Sequence, residues 1–585
     1  MELLSGNEAI ARGAYEAGVT LAAGYPGTPS TEILENIVQY KDVIYAEWSP
    51  NEKVAFEVAA AAAMAGARSL VTMKHVGLNV AADPLMTLAY IGVKGGMVIV
   101  VADDPGMHSS QNEQDSRNYA KFAKIPLLEP SDSQEAKDFM LYAYDLSEKY
   151  GTPVILKTET RISHSRSLTE LGTRGPENKT DFIKDQSKHV MVPLWARGRR
   201  VQLESRIKEL KKAANESEIN RIEMQDTSLG IITSGVTYQY VKEAWPNASI
   251  LKLGFVFPFP DELIKEFASK VKNVLIIEQL DDFIEEHVKA LGIKCNGKDV
   301  IPNIGEISPS ILLDIKAKME AGSPISAPYK NIAEKLPGRP PVLCAGCSHR
   351  GIFHALTEHD VVIAGDIGCY SLGTFKPLER LDIILCMGGG ISMAHGMQKA
   401  NNSKKVVGVI GDSTFFHSGI TGLIDIVYNK GTSTIIVLDN RITAMTGHQE
   451  NPGSGSTLMG EPTVALSIAE IGRACGVKRI FEINPYDQKN TKNIIAQEIE
   501  INEPSLIISK APCVLYSKKP INKQRSINQE KCKNCRQCLR LGCPAIEADE
   551  GKPHINPHIC MGCSLCQQAC KFDAITELED RTNVI

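Results

Sequence analysis

Residues 406–440, VVGVIGDSTFFHSGITGLIDIVYNKGTSTIIVLDN, leave the chain little freedom of fold. Val406 to Ile410 is a short apolar run ending in Gly411-Asp412, the pattern of a strand buried on both faces of a parallel sheet. Residues 417–430 carry Ile420, Leu423, Ile424, Val427 and Tyr428 at helical spacing, and 434–438 form a second apolar run ending in Asp439-Asn440. Strand, helix and strand of this length predict one right-handed βαβ crossover. Both strands then open on the sheet edge where ligands bind, so Asp412 and Asn440 are expected close together. Their side-chain oxygens and the backbone carbonyl of Ile442 make a hard, incomplete shell that suits Mg²⁺, whose remaining ligands come from phosphates and water. A helix N-terminus near Phe416 is expected to face the same phosphates with free N–H groups. An ordinary βα turn with a capping Asp explains a lone Gly-Asp as well; the spacing to Asn440 is what separates the two readings.

The chain has 585 residues, enough for three to five domains at ~100–200 residues each. A net charge of −5 gives no reason to expect nucleic acid. The first residues, MELLSGNEAIARGAYEAG, lack the basic-then-apolar pattern of a signal peptide, and no run of ~18 apolar residues occurs. A cytoplasmic protein without a membrane partner is therefore expected. Of the fifteen cysteines, eight lie between 532 and 570 in metal-cluster spacing, which in a cytosolic chain reads as metal binding and not as disulfides.

Residues 1–165 alternate helical and strand patterns, as a mostly parallel α/β sheet does. An amphipathic helix covers 5–17, the loop Gly24-Tyr25-Pro26-Gly27-Thr28-Pro29-Ser30 precedes a helix from Thr31, and MVIVVA at 97–102 is a central strand. Ser49 as N-cap, Pro50 at N1 and Glu52 at N3 form a capping box that by itself accounts for Glu52. Residues 166–226 are charged, with a helical 200–224, and read as an insertion with a solvated face. The α/β pattern restarts over 229–320, and SAPYKNIAEKLPGRPP connects it to residues 341–515. There the loops after successive apolar strands, CAGCSH, GDIGCY, MGGGI and ITAMTGHQENPGSG, point to one shared site. Finally, Cys532, Cys535 and Cys538 precede Cys543-Pro544, and Cys560, Cys563 and Cys566 precede Cys570. This is the two-cluster bacterial ferredoxin pattern, in which the fourth Cys of each run ligates the other cluster. Four residues before Cys543, and Lys571 in place of Pro, depart from it. Zinc, which also takes Cys-x2-Cys, is a poor match to eight cysteines in this order.

Gly411-Asp412-Ser413 followed by Asn440 resembles the diphosphate–Mg²⁺ motif of thiamine-diphosphate (ThDP) enzymes, with Ser413 where Gly is commoner. The Tyr25–Ser30 loop and the Glu-led, Ala-rich helix after it resemble the pyrimidine-binding domain of 2-oxoacid:ferredoxin oxidoreductases. With CAGCSHR, DIGCY, GDSTFFHSG, AMTGHQ and the cysteine tail, the resemblance covers the whole chain and is to alpha subunits of the indolepyruvate type. It implies an α/β protein with two ThDP-binding-type domains (1–180, pyrimidine; 340–518, diphosphate and Mg²⁺), a helical insertion at 181–226, a transketolase C-terminal-like domain at 227–325 and a two-[4Fe–4S] ferredoxin domain at 524–585.

The resemblance also implies roles. Glu52, in preference to Glu47 or Glu57, hydrogen-bonds the aminopyrimidine and drives C2 deprotonation, and Thr28 meets the substrate. Arg117 meets the substrate carboxylate, unless it is a surface salt-bridge residue. His349 and His448 contact diphosphate or substrate, or serve as structural hydrogen-bonders. Gly368, Tyr370, Gly388, Gly389, Gly411, Asp412, Ser413, Asn440, Thr446 and Gly447 line the cofactor. Cys532, Cys535, Cys538 and Cys570 hold one cluster; Cys543, Cys560, Cys563 and Cys566 hold the other. Cys344, Cys347, Cys369 and Cys513 match the ligands of a third cluster in related enzymes, while Cys295, Cys386 and Cys475 read as buried structural thiols; that all seven are structural stays open. The implied reaction converts an aryl 2-oxo acid and coenzyme A to aryl-acetyl-CoA, with external ferredoxin as acceptor and a beta subunit carrying the missing gamma-type domain. A non-oxidative decarboxylase and an electron-transfer subunit with a degenerate ThDP fold are the alternatives.

Overall fold

The computed structural model describes residues 1–177, 182–322, 341–400, 404–548 and 551–578. The expected boundaries at 180/181, 325 and 340, and most of the SAPYKNIAEKLPGRPP connector, lie outside the described residues. The chain forms two compact units, Met1–Leu336 and Pro337–Ile585.

The first unit is built on a seven-stranded sheet. Its order is Phe255–Phe257, Leu127–Leu128, Val154–Glu159, Met97–Asp103, Ser69–Lys74, Leu21–Gly24 and Tyr45–Trp48. All neighbours are parallel except the first pair. Every residue of Met97–Asp103 and Val154–Glu159 is buried, as expected where helices cover both faces. A second sheet runs Val274–Ile277, Asp226–Ser234, Ala248–Leu253 and Arg221–Glu223. The chain leaves this sheet at Leu253 and joins the first one at Phe255. Gly254 allows the passage, because a Cβ there would come within 2.6 Å of the Ile219 carbonyl.

The helix expected over 200–224 is Pro193–Asn215, and Arg221–Glu223 is already a strand of the second sheet. That helix keeps the solvated face expected of it, most of its residues being exposed or half-buried, and packs one stripe inward. Leu203, Leu210 and Ala214 are buried, and Arg199 donates to the Tyr90 and Ile91 carbonyls at 2.9 and 2.8 Å, closing the end of helix Ala82–Ile91.

The second unit carries a five-stranded, wholly parallel sheet in the order Val362–Ala364, Val406–Gly411, Thr434–Asp439, Ser505–Lys510 and Arg479–Ile483. The predicted crossover is present. Its helix begins directly at Asp412–Thr414, passes through a π-helical turn at Phe415–Gly419 and continues as Ile420–Tyr428. Phe416 is thus inside the helix and not at its N-terminus. Leu423 and Ile426 face the core, whereas Ile424 and Tyr428 are exposed.

The cysteine-rich tail packs on the same unit. It pairs Arg525–Ile527 with Ile575–Glu577 and Ile546–Glu547 with His554–Ile555 around Leu541, Leu565 and Ile575. Contact with the sheet domain is direct. Tyr486 Oη donates to the Gly346 carbonyl at 2.8 Å, Gln568 donates to the Tyr486 carbonyl at 2.8 Å, and a Cβ at Gly346 would lie 2.6 Å from Met561.

Candidate functional site

Parallel register sets Gly411 opposite Leu438, so Asp412 and Asp439 end neighbouring strands side by side and Asn440 follows. Asp412 is 3% exposed and Asn440 7%. Asn451 Nδ2 donates to Asp412 Oδ2 at 3.1 Å, and the Ile442 N–H donates to Asn440 Oδ1 at 3.2 Å. Arg441 pairs with Asp439 at 3.4 Å; among the described residues no cation pairs with Asp412. Burial, and then the Asp439 charge, push the Asp412 carboxyl up to about 7. A buried carboxylate left without a counter-charge is costly, so this strand end fits a divalent cation, and its hard oxygens fit Mg²⁺. Asn451 and Asp439 were not singled out from sequence. Asp439, at the end of an apolar run beside Asn440, carried a signal; Asn451, far along a polar loop, did not.

The glycine-rich loops converge on this edge. A Cβ at Gly368 would stand 2.5 Å from the Tyr370 ring, and one at Gly411 2.7 Å. Tyr370 Oη donates to the Ile367 carbonyl at 3.0 Å, and Thr443 donates to Ser413 Oγ at 2.9 Å. Gly388, at φ +81°, lies so close to Ser418 that a Cβ would fall 2.0 Å from its Oγ. The N–H groups of Gly388 and Gly390 donate to buried Asp366 at 3.0 and 2.8 Å, and that of Gly389 to the Cys386 carbonyl at 3.0 Å. These amides are spent inside the protein, so the glycines shape the loop instead of offering donors. Asp366, closing the VVIAG run, is a residue that sequence reading passed over. His349 is buried edge-on to Tyr370; burial and the adjacent Arg350 push its imidazole down to about 4, so it is neutral. In the loop after Asn440, Thr446 hydrogen-bonds Gln449, Gly447 takes φ +125°, and His448 Nε2 is buried without a partner.

In the first unit, Glu52 is 4% exposed and opens helix Glu52–Met64. The expected capping box is absent. Asn51 is the N-cap, accepting from the Val54 N–H at 2.9 Å, while Ser49 Oγ donates to Glu47 at 2.8 Å. The backbone is still extended at Asn51 (φ −157°), so the helix starts later than Ser49 would set it. Gly77 faces Glu52, leaving no room for a Cβ, which would lie 2.7 Å from its carboxylate. Glu57 is half-exposed beside Lys53, and Glu47 bonds Tyr45 on the surface. Glu52 is thus the enclosed one of the three. Lys74, at the end of its strand, donates to the Ser109 carbonyl at 3.0 Å, and Ser109 Oγ donates to the Thr28 carbonyl at 3.3 Å. Burial draws the Lys74 ammonium down to about 8 although Asp104 and Glu52 oppose it. Lys74 was not foreseen; a lysine closing the apolar strand SLVTMK is the signal.

Arg117 departs from expectation. It is 1% exposed, with Nε on both oxygens of Asp115 at 2.9 and 3.0 Å, Nη1 on Glu278 at 2.7 Å, and Nη2 on Asp115 and the carbonyls of Gln279 and Asp281. Every nitrogen of the guanidinium is committed within the protein, so it ties the two sheets of the unit together and is not left for a substrate carboxylate or for the surface.

The tail encloses two cavities. One is lined by Cys532, Cys535, Cys538 and Cys570, the other by Cys543, Cys560, Cys563 and Cys566. The additional residue before Cys543 is absorbed by the 3₁₀ turn Gln537–Leu541 and by Gly542 at φ +62°. Burial, and then the neighbouring Cys513 thiol, raise Cys344 and push Cys369 up to about 11, and burial with Cys369 and Cys344 nearby pushes Cys347 up to about 12. Among the described residues no three His, Cys, Asp or Glu side chains close on a single-ion position; a cluster instead takes its thiolates around several irons. Of the three cysteines expected to be buried and structural, Cys386 is exposed and Cys295 and Cys475 are half-buried.

Known proteins share this plan. The family described as pyruvate flavodoxin/ferredoxin oxidoreductase, thiamine diphosphate-binding, matches residues 12–206; the C-terminal TPP-binding domain of thiamine pyrophosphate enzymes matches 366–509; and the 4Fe-4S binding domain matches 553–576. Indolepyruvate oxidoreductase subunit IorA of Methanothermobacter thermautotrophicus is 44% identical over 98% of this chain and 96% of its own. IorA of Pyrococcus horikoshii is 41% identical over 99% and 97%. Ketoisovalerate oxidoreductase subunit VorB of Methanothermobacter marburgensis is 23% identical over 52% of this chain and 93% of its own. Two ThDP-binding domains and an iron–sulfur domain on one chain define a ThDP-dependent 2-oxoacid:ferredoxin oxidoreductase. Within that class the chain belongs to the family of the IorA subunits of indolepyruvate oxidoreductase. The matched relatives are named as subunits, and no helix among this chain's described residues is long and apolar enough to cross a membrane.

Proposed function

We propose that the chain oxidatively decarboxylates an aryl 2-oxo acid of the indolepyruvate type to the aryl-acetyl-CoA, passing two electrons singly to ferredoxin in the cytoplasm. The observation that carries this reading is near-full-length similarity, at 40–44% identity, to archaeal subunits named for indolepyruvate. A smaller beta subunit supplies the gamma-type domain, and coenzyme A is the acyl acceptor.

Bound ThDP supplies a nucleophilic C2 and an electron sink for the carbons left when CO₂ departs. The protein's part is placement. Asp412, Asn440 and the Ile442 carbonyl hold Mg²⁺ against the diphosphate, with Asn451 fixing the Asp412 rotamer. Tyr370 and the glycines at 368, 388, 389 and 411 shape the floor, and Ser413, Thr446, Gly447 and His448 border it. Glu52, enclosed against Gly77, would hydrogen-bond the aminopyrimidine of bound ThDP and supply the carboxylate that makes its C2 acidic. Thr28 orients the keto acid, and neutral His349 lies at the inner wall. The two tail cavities hold [4Fe–4S] clusters, and Cys344, Cys347, Cys369 and Cys513 hold a third. The domain plan proposed is the five segments 1–180, 181–226, 227–325, 340–518 and 524–585, with strand Arg221–Glu223 of the second sheet falling at the end of the second segment.

Co-expression with a candidate beta subunit, followed by CoA-dependent dye reduction across a panel of 2-oxo acids, tests the reaction; aryl substrates should be turned over fastest. Aldehyde release without dye reduction would establish the non-oxidative alternative, and failure to bind ThDP the degenerate one. For the third cluster, Cys344→Ser should remove about four irons per chain from the full-length protein; unchanged iron refutes it.

A further inference from the structure

Two buried arginines beside the second tail cavity have no role in the account above. Arg350 is 2% exposed and meets only neutral acceptors: Nη1 donates to the Leu541 carbonyl, and Nη2 to the carbonyls of Leu343 at 2.7 Å and Cys344 at 3.2 Å. Its Nε–H has no partner, and no carboxylate pairs with it among the described residues. Arg525 is 6% exposed. It donates to the Lys523 carbonyl at 2.9 Å and Ser564 Oγ at 2.6 Å, its Nε–H also lacks a partner, and its one acid, Glu577, is 59% exposed. Both side chains line the cavity of Cys543, Cys560, Cys563 and Cys566, and the Arg525 N–H points at Cys560 Sγ at 3.5 Å. The cations lining the cavity of Cys532, Cys535, Cys538 and Cys570 are solvent-exposed Arg536 and Lys533, beside half-buried Gln537 and apolar residues.

A guanidinium buried without a counter-ion is not stable unless something anionic is brought to it. Thiolates on iron supply that charge. One-electron reduction adds a further negative charge to the cluster, so fixed positive charge nearby favours the reduced form, and an N–H donated to cluster sulfur, as the Arg525 backbone amide donates to Cys560, acts in the same direction. Resting on the proposal that both cavities hold clusters, we infer that Arg350 and Arg525 are positioning residues for the one at Cys543, Cys560, Cys563 and Cys566. Their charge compensates its thiolates and raises its reduction potential relative to the cluster at Cys532, Cys535, Cys538 and Cys570. Arg350 also bonds the Cys344 carbonyl, so the tuned cluster is the one nearer the Cys344–Cys347 loop. Electrons therefore collect there before they reach the outer cluster, whose Cys535 is exposed.

The test is an anaerobic redox titration, followed by electron paramagnetic resonance, of the full-length holoprotein and of Arg350→Gln, Arg525→Gln and Arg350→Lys. Cys535→Ser identifies the outer cluster's signal. Each Gln variant should shift the inner cluster's reduction equilibrium about tenfold toward the oxidised form, about 59 mV for a one-electron couple. The outer cluster should stay where it is, and Arg350→Lys should keep most of the wild-type value. Loss of inner-cluster iron in Arg350→Gln but not in Arg350→Lys would also support charge compensation; equal loss in both overturns it, as packing alone would then explain the residue. Full iron with unmoved potentials, or a shift confined to the signal altered in Cys535→Ser or to the one lost in Cys344→Ser, overturns the inference and leaves the cluster proposal intact. A wild-type protein that binds no iron at this cavity overturns the cluster proposal itself.

Discussion

The two units treat buried charge differently. In the first, Lys157 is ringed by Glu129 at 2.8 Å, Glu159 at 3.0 Å and Asp103 at 3.7 Å, and Arg117 by Asp115 and Glu278. Acids and bases close on one another, and protonation absorbs the surplus acid: Asp103 is pushed up to about 7, and Glu159 and Glu278 are also raised, burial being the main cause throughout. In the second, Asp412 has an amide for a partner and Arg350 has carbonyls. A closed network needs nothing more and holds a fold together. An open charge is stable only when a cation, or an anionic cluster, is brought to it. Burial alone does not mark a functional residue; burial with the balance left incomplete does.

The sharpest way to break this comparison is Asp412→Ala. Removing an open carboxylate should weaken Mg²⁺-dependent ThDP binding by more than about 100-fold while iron content stays at the wild-type level. Calorimetry with and without chelator reads it, and tight binding by the variant would make Asp412 an ordinary turn residue. Next in size is Arg117→Met. Taking the cation from a closed buried group leaves Asp115 and Glu278 facing each other and should cost about 3–5 kcal/mol of stability. Denaturant titration checks this. A variant of wild-type stability with a raised KM for the 2-oxo acid would instead return Arg117 to the substrate.

The closed network should also show in pH. Asp103 has its carboxyl raised from 3.8 to about 7, chiefly by burial, which outweighs the pull of Lys157. The folded state then holds a proton that the unfolded state releases. The stabilising contribution is complete below about 3.8 and is lost as pH rises to about 7. Asp103→Asn removes that slope while keeping an acceptor for the Ser116 N–H, at 3.1 Å from the carboxylate. Relative to the variant, wild type should therefore lose stability between about pH 4 and about pH 7, by no more than about 2 kcal/mol because Lys157 and the glutamates share the titration. A pH-independent difference between the two would mean that Asp103 stays ionised and fully paired.

Local pattern made much of this legible. The strands at Val406–Gly411 and Thr434–Asp439, the nearness of Asp412 to Asn440 and the crossed cysteine sets all follow from periodicity and spacing, because each is settled within a few dozen residues. What sequence could not show depends on distant partners. Glu278, which captures Arg117, is 161 residues away, and Leu541, which caps Arg350, is 191 away. Spacing alone also does not say which side of helix Ile420–Tyr428 is covered: Ile424 and Tyr428, part of the apolar set, are exposed. The position of Glu52 was misread for a subtler reason: Ser49-Pro50-Asn51-Glu52 contains two good N-caps, and which one is used depends on where the extended backbone ends.

That ambiguity gives the smallest and last prediction. Glu52 is a buried acid of the first unit outside the Arg117 and Lys157 network, so its helix role and its proposed chemical role should separate. Asn51 holds the Val54 N–H, and Asn51→Ala should cost about 1 kcal/mol. Ser49 caps nothing; it is buried and its hydroxyl bonds Glu47 at 2.8 Å, so Ser49→Ala should cost only that hydrogen bond, no more than about 1 kcal/mol. Glu52→Gln at N1 loses a favourable charge at the helix start, worth only about 0.3–1 kcal/mol. The same substitution should abolish exchange of the ThDP C2 proton, because a neutral amide cannot hold the pyrimidine in the reactive tautomer. If Ser49→Ala is the costly change and Asn51→Ala is silent, Glu52 returns to the third helical position and a capping box explains its burial. If Glu52→Gln exchanges the C2 proton at the wild-type rate, Glu52 joins the closed, structural charges of its unit, and the enclosure of this one glutamate among three has no chemical meaning.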